Sequence, residues 1–198
     1  MVKFRKIMSA VLHIKNMVCP RCIESVQEVL TNEGFEVQKI KLGEAEIDRQ
    51  PTTDQLENIS RILHSKGFEL LHDKKKIVVD QVKSEIIKLV HHSENEILNV
   101  NLSSHLSALI GADYSSISTL FSSSEGLTIE RFTILQKIEK VKELLSYGEL
   151  TASEIAFKLG YSSAAHLSSQ FKKETGMTPG QYKKLKDKHR NPLDHIGL

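Results

Sequence analysis

The chain has 198 residues with 27 basic and 25 acidic side chains, so its formal net charge is +2. This length suits one large domain or two small ones, and 39% hydrophobic with 26% charged residues is ordinary for a soluble globular protein. Because no apolar run reaches the roughly 18 residues that span a membrane, and no secretory signal is present, we expect a cytoplasmic protein without a membrane partner. The near-neutral charge excludes a uniformly basic nucleic-acid coat but not a local basic surface.

The first seventy residues alternate between strand and helix patterns. Val11–Ile14 predicts a strand, and Pro20 suits the first turn of a helix that ends at Gly34. The next predicted elements are a strand at Phe35–Leu42, a hairpin turn at Gly43, a strand at Ala45–Ile47, a helix capped by Thr52 or Thr53 and ended by Gly67, and a strand at Phe68–Leu71. This βαββαβ order is typical of a ferredoxin-like fold.

Both cysteines of the chain lie in the first loop. Cys19 precedes the first helix and Cys22 lies in its first turn, where the positive end of the helix dipole is expected to favour thiolate over thiol. Two thiolates cannot complete a four-ligand zinc site, but they suit Cu(I), which accepts few soft ligands. A redox dithiol and a plain structural pair are the alternatives, whereas a disulfide is disfavoured in a reducing cytosol.

Residues from about 10 to 76 resemble a heavy-metal-associated domain, as found in copper chaperones and copper ATPases. Met17, Cys19 and Cys22 match the Gly-Met-Thr-Cys-x-x-Cys loop of that family, although Asn16 and Val18 replace its Gly and Thr. Ser65-Lys66-Gly67-Phe68 matches the loop before the last strand. The resemblance implies that Cys19 and Cys22 are the ligands of Cu(I), with Ag(I), Zn(II) or Hg(II) as alternatives, and that Met17 is a buried support.

Four histidines are weaker candidates for metal ligation. The pattern predicts that His13 is a half-exposed strand residue and that His72 is a neutral surface residue. His91 and His92 are predicted to form the polar end of a helix over Lys76–His91.

The second half contains two similar blocks about fifty residues apart. Each block has a short helix, a turn at glycine and a second helix closed by glycine, which is helix-turn-helix organisation. In the second block, Thr151 and Glu154 form a capping-box pattern, and Gly160 permits the turn. A helix over Ile134–Leu145 joins the two blocks.

Residues from about 78 to 187 resemble the AraC-type DNA-binding domain. The resemblance is carried by Ile155-Ala156-Phe157-Lys158-Leu159-Gly160-Tyr161 and by Phe171-Lys172-Lys173-Glu174-Thr175-Gly176-Met177-Thr178-Pro179-Gly180-Gln181-Tyr182. It implies two recognition helices, Ser115–Ser122 and Ala164–Lys173, which enter successive major-groove segments of a double-stranded operator. RNA polymerase and a second copy of the chain are the further partners it suggests.

The chain departs from the family in the charge of its recognition helices. Thr119 and Ser169 stand where the family often has arginine, and no Lys or Arg occurs between Lys88 and Arg131. Because positive charge gathers instead at Lys172–Arg190, we expect the second block to bind DNA more than the first. The predicted DNA-contacting residues are Ser115, Ser116, Thr119, Ser162, Ser163, His166, Ser169, Gln170, Lys172 and Lys173.

These observations predict an α+β chain: a ferredoxin-like metal-binding domain at 8–76, an all-α double helix-turn-helix domain at 77–187 and a tail at 188–198. The predicted function is a metal-responsive, DNA-binding transcriptional regulator. It is not predicted to be an enzyme, because its histidines and acids form no known catalytic motif. The alternatives are a metallochaperone-like protein with a docking helical domain and a thiol redox protein.

Overall fold

The computed structural model of the chain describes residues 9–71, 73–93, 101–185 and 190–196. His72 therefore lies outside the described residues, as do Lys186 and Lys188 of the predicted basic segment. The chain divides into two compact units, one up to Ser84 and one from Glu85 onwards.

The first unit contains a four-stranded antiparallel sheet and two helices. Its elements are β1 (Ala10–Lys15), α1 (Pro20–Asn32), β2 (Val37–Lys41), β3 (Glu44–Ile47), α2 (Thr53–Ser65) and β4 (Glu69–Leu71). The strand order is β2-β3-β1-β4, with His13 of β1 paired to Glu44 of β3 and to Leu71 of β4. The predicted βαββαβ order is therefore observed.

Alternation along β1 explains why the helices cover one face of this sheet. Ala10, Leu12 and Ile14 are buried while Val11 is exposed, as expected when successive side chains point to opposite faces. Both helices contribute apolar stripes to the same core, and these stripes include Val26 and Leu30 of α1 and Ile59 and Leu63 of α2. Thr52 begins α2 with a capping box that it completes with Gln55.

Three loops meet at one end of the sheet. Asn16, after β1, has a left-handed φ of 71° and donates from Nδ2 to the Gly67 carbonyl at 2.9 Å, so the cysteine loop is tied to the loop before β4. The Ile14 amide donates to the carbonyl of Gly43 in the β2–β3 turn, also at 2.9 Å. A Cβ added at Gly43 would lie 2.9 Å from Ser84 Oγ, so this turn is also in contact with the next helix.

That helix is α3 (Lys74–Ile87), and it continues into a π turn at Lys88–His92. The apolar residues predicted to share one face are all buried, namely Val79, Val82, Ile86, Ile87 and Val90. Both the predicted domain boundary after residue 76 and the observed division after Ser84 fall within α3.

The second unit is helical over its described residues. Its elements are α4 (Leu102–Ile110), α5 (Tyr114–Glu125), α6 (Ile129–Tyr147), α7 (Ala152–Lys158), α8 (Ala164–Thr175), α9 (Pro179–Lys183) and a 3₁₀ turn at Leu193–His195. The joining helix α6 is longer than the predicted Ile134–Leu145, because Thr128 caps its start and Gly148 ends it in the left-handed conformation.

The internal repeat is visible in both caps and core. The second helix of each block, α5 or α8, follows the N-cap residue Asp113 or Ser163 and ends at a left-handed glycine, Gly126 or Gly176. In the first block the rings of Phe121 and Phe132 meet edge to face at 5.7 Å, and in the second those of Phe171 and Tyr182 do so at 5.6 Å. The two blocks are therefore built on the same scaffold.

A buried polar seam lies along α6. Gln136 is fully buried; its Nε2 donates to the Leu193 carbonyl at 3.2 Å, and its Oε1 lies 2.9 Å from His91 Nε2. Since Oε1 accepts, His91 is the Nε2–H tautomer, and its buried Nδ1 has no hydrogen-bond partner among the described residues. One glutamine side chain therefore holds both the π turn and the C-terminal segment against α6.

Among the described residues, every helix is either too short or too polar to cross a membrane.

The buried contact between His91 and Gln136 predicts that the stability of the fold depends on pH. Burial lowers the pKa of His91 from 6.5 to about 4, and the nearby Lys140 and His92 act in the same direction, against Gln136 and Glu143. As the pH falls from 6.5 to 4, the unfolded chain binds a proton at His91 before the folded chain does. Folding should therefore lose up to about 3 kcal/mol in this window, and the contribution is fully present above pH 6.5.

Tyrosine fluorescence isolates this effect, because all four tyrosines lie in the second unit and the chain has no tryptophan. Urea unfolding of His91→Gln at pH 7 and pH 4.5 should show a much smaller loss of unfolding free energy than the unchanged chain shows. His92→Gln, at the exposed neighbouring position, is the control. An equal pH dependence in the unchanged chain and His91→Gln would contradict the assignment.

Candidate nucleic-acid interface and cysteine loop

Helix α8 presents a polar, basic surface on a firmly anchored helix. Its buried residues Leu167 and Phe171 fix it to the core of the second block. On the other side His166 and Ser169 are exposed, as are Lys172 and Lys173 in the last turn. Gln170 is half-buried, and the neighbouring turn residue Ser162 is exposed. The structure thus places the predicted contact residues of the second block together on and beside one helix.

The start of α8 is capped by a neutral side chain. Ser163 Oγ accepts a hydrogen bond from the His166 amide at 3.1 Å, while Ser162 Oγ lies 3.0 Å from His166 Nδ1. The imidazole also meets the ring of Tyr161 edge to face at 5.4 Å. His166 is therefore held in a defined orientation at the end of α8 where a recognition helix contacts base edges.

The start of α5 is capped by a carboxylate instead. Asp113 accepts hydrogen bonds from the Ser116 amide at 2.9 Å and from the hydroxyls of Ser115 and Ser116, each at 2.7 Å. The hydrogen bonds from Ser115 and Ser116 hold the pKa of Asp113 well below its usual range, so it carries a negative charge at any working pH. Two predicted base-contacting hydroxyls are thus directed to their own helix cap.

The outward face of α5 is shallow and uncharged. Ser115, Ser116, Thr119, Leu120 and Ser123 line a surface depression of about 410 Å³. The structure therefore brings Thr119 together with Ser115 and Ser116, as predicted, but on a face without cations.

An ion pair connects the end of the second recognition helix to the start of α6. Arg131 Nη2 lies 2.6 Å from Glu174 Oε2, and its Nη1 pairs with the other carboxylate oxygen. The Glu174 side chain is only 7% exposed, so this two-point contact is shielded from solvent on the carboxylate side. Arg131, the first cation after Lys88, is therefore committed to an intramolecular contact.

The two cysteines are adjacent in the loop that precedes α1. Cys19 is the N-cap residue of α1, and its Sγ lies 3.2 Å from Cys22 Sγ. Both thiols are free and partly exposed, while Met17 is fully buried in the core as predicted. Two sulfurs that share one ion at about 2.3 Å each lie at most about 4.6 Å apart, so this separation allows both to bind the same ion.

At Cys22, burial opposes the stabilisation of the thiolate that the helix dipole is expected to give. Burial raises the pKa of the Cys22 thiol, and the hydrogen bonds from Val18 and Cys19 backbone groups only partly oppose it. Desolvation dominates because Cys22 packs against the apolar core.

The described histidines do not join the cysteines in a donor cluster. Among the described residues no three His, Cys, Asp or Glu side chains are placed to hold a metal ion. His13 has a buried Nδ1 without a hydrogen-bond partner and a pKa lowered by burial, and it lies within β1. His91 is committed to Gln136, in agreement with its interpretation as part of a helix end.

Sequence reasoning missed three residues that shape these sites. Asp113 carries a readable signal, since Asp directly before a helical run is a preferred N-cap residue. Gln136 and Tyr161 carry none, because their roles depend on which neighbours surround them in the fold.

Comparison with known proteins finds relatives of this chain. Residues 106–185 match the family described as "Helix-turn-helix domain". An uncharacterized HTH-type transcriptional regulator of Staphylococcus aureus is 32% identical over 143 residues, which is 72% of this chain and 18% of that protein. YtdP, an uncharacterized HTH-type transcriptional regulator of Bacillus subtilis, is 23% identical over 165 residues, or 81% of this chain and 21% of that one.

A solved structure, the C-terminal domain of the response regulator AraT from Geobacillus stearothermophilus, aligns with a TM-score of 0.47 and 22% identity. The alignment covers 59% of this chain and 97% of that one. The chain spans about a fifth of the length of the curated relatives it matches. Residues 106–185 are thus similar to a helix-turn-helix domain, and the structure has two helix-turn-helix pairs in and around this segment, α4 with α5 and α7 with α8.

Tyr161 offers a test of the second helix-turn-helix. Burial raises its pKa to about 12, and its hydroxyl is buried without a hydrogen-bond partner among the described residues. Because such a hydroxyl is costly, Tyr161→Phe should raise the unfolding free energy by about 1 kcal/mol. Urea unfolding followed by tyrosine fluorescence measures this change. Tyr147→Phe, at a residue that is 64% exposed, should be neutral, and a destabilised Tyr161→Phe variant would refute the interpretation.

Proposed function

We propose that the chain is a DNA-binding transcriptional regulator of AraC type, and that α8 supplies its contacts with base edges. The observation that carries this proposal is the exposed face of α8, where His166, Ser169 and Gln170 precede Lys172 and Lys173. The helix-turn-helix match and the transcriptional regulators among the relatives support it.

Each residue type has a defined role in this proposal. A recognition helix lies in the major groove with its N-terminal residues against base edges, so His166, Ser169 and Gln170 are the direct readers. Gln forms a bidentate contact with adenine most readily. Lys172 and Lys173, at the other end of α8, contact phosphates, which give affinity without sequence preference.

The test begins with selection of preferred sequences from random double-stranded DNA, followed by titration with the full chain by fluorescence anisotropy. Gln170→Ala should weaken binding by about 5- to 100-fold and relax the preference at one base pair. Lys172→Ala should weaken binding to all sequences alike. It should also reduce the slope of log affinity against log salt concentration by about one.

Lys39→Ala, at an exposed position of β2, is the control and should leave affinity unchanged. Failure of the unchanged chain to prefer any sequence, together with full affinity of Gln170→Ala, would contradict the proposal.

We further propose that the first unit is a ferredoxin-like, heavy-metal-associated sensor in which Cys19 and Cys22 hold Cu(I) or another thiophilic ion. Two free thiols at 3.2 Å, with no third donor near them among the described residues, form a set that suits an ion of low coordination number. This set is too small for a closed structural zinc site. A bound ion would cross-link the loop to the first turn of α1 through Cys19 and Cys22.

The contacts of the first unit suggest how the loop would act on α3. The Ile14 amide, two residues before the loop residue Asn16, binds the Gly43 carbonyl, and Gly43 lies against Ser84 of α3. A change in the loop can therefore bias α3, which continues into the π turn. Allosteric control requires two states with different affinities for the ion and for DNA. RNA polymerase and a second copy of the chain remain predicted partners.

An anaerobic titration tests the sensor proposal. Cu(I), Ag(I), Zn(II) and Hg(II) are added in turn, and both bound metal and DNA affinity are measured. We expect one thiophilic ion per chain, a changed DNA affinity when it is bound, and loss of both effects in Cys22→Ser. Identical DNA affinity with and without bound ion would contradict metal sensing and favour the metallochaperone alternative. A reversible disulfide without metal binding would favour the thiol redox alternative.

A further inference from the structure

We infer that only the second helix-turn-helix reads DNA, and that the residue capping each recognition helix is a determinant of this difference. Asp113 makes the start of α5 unfavourable for the DNA backbone, whereas Ser163 leaves the start of α8 favourable. This inference rests on the proposed DNA-binding function and assigns it to one of two similar motifs.

The difference does not come from the fold. Both recognition helices have twelve residues, an N-cap side chain that accepts an amide hydrogen bond, and a left-handed glycine at the end. The inward residues Ile117 and Phe121 of α5 are buried like their counterparts Leu167 and Phe171 of α8. Two such helices would be expected to meet DNA in the same manner if their surfaces were alike.

The electrostatics at the two helix starts are opposite. Unsatisfied amides and the helix dipole make the start of a helix attractive to anions, and DNA presents phosphates on both sides of the groove. At α8 the cap is a neutral hydroxyl, so this attraction persists. At α5 the ionised Asp113 neutralises the helix end and repels phosphate, and three hydrogen bonds hold its carboxylate in place.

No cation compensates for Asp113 in the first block. Ser122 and Ser123 stand at the positions that Lys172 and Lys173 occupy in the second block. Residues 101–135 contain three acidic residues and one arginine, which is paired with Glu174, whereas residues 151–185 contain five lysines and two glutamates. The phosphate attraction that dominates non-specific DNA binding is therefore confined to the second block.

The hydroxyls on α5 are also poorly available to DNA. Ser115 and Ser116 both donate to Asp113, so a donated hydrogen bond to a base would have to replace a bond to a carboxylate. On α8 the equivalent positions are Ala165 and His166, and neither contacts a carboxylate in the second block.

Matched substitutions at equivalent positions of the two helices test the inference in the full chain. Affinity for a selected DNA duplex is measured by fluorescence anisotropy. Ser169→Ala should weaken binding about tenfold, whereas Thr119→Ala at the equivalent position of α5 should change it less than about twofold. Equal losses for the two variants would overturn the inference.

A cap substitution separates electrostatics from folding. Ser163→Asp keeps a good N-cap residue, so α8 should form, but it should weaken DNA binding at least about tenfold. Asp113→Ser should not weaken binding. Tyrosine fluorescence unfolding confirms that both variants are folded. Undiminished affinity of a folded Ser163→Asp variant, or a loss in Asp113→Ser, would overturn the cap assignment. If the unchanged chain lacked any sequence preference, the proposed function itself would fail instead.

Discussion

The packing of α6 between the two helix-turn-helix motifs is the constraint on which the helical unit depends. Phe132, near its start, meets Phe121 of the first motif, and Val141, Leu144 and Leu145, near its end, join the core of the second. Arg131 adds an ion pair to Glu174 of α8. Helix α6 therefore sets the positions of both α5 and α8, and neither helix can be repositioned without disturbing the packing of α6.

Buried polar side chains of α6 also fix the segments on either side of the two motifs, namely the π turn and the C-terminal segment. Buried polar groups are tolerated only when they are paired, and Gln136 and Glu139 each satisfy this requirement with at least one partner far away in the sequence. Gln136 holds His91 and Leu193, while Glu139 accepts from the Asn191 amide at 3.2 Å and from Lys142 at 2.6 Å. Both flanking segments lie outside residues 106–185, which match the helix-turn-helix family.

Features with local causes were predictable from the sequence. The capping boxes at Thr52 and Thr151, the turn at Gly43 and the placement of Cys19 before α1 all depend on residues within a few positions. The apolar spacing of α3 likewise predicted the burial of its apolar side chains, such as Val79, Val82 and Ile86.

Features with long-range causes were not predictable. The raised pKa of the Cys22 thiol reflects desolvation by the core, and the lowered pKa of His91 reflects burial beside Gln136, 45 residues away. The hydrogen bonds of Ser115 and Ser116 likewise do not follow from the spacing of these residues. Their spacing placed them on the outward face of α5, but only the structure shows that Asp113 accepts both hydroxyl hydrogen bonds. Residue type identified candidate readers, whereas hydrogen bonding distinguished one motif from the other.

Two scaffolds of the same shape can thus serve different roles when their surface charge differs. The second motif combines a neutral cap with lysines, and the first combines a carboxylate cap with serines. Hydroxyl-radical footprinting of the full chain on a selected duplex tests this account most directly. We expect one protected stretch of the sugar-phosphate backbone, whereas two protected stretches about ten base pairs apart would contradict the assignment of DNA reading to the second motif alone.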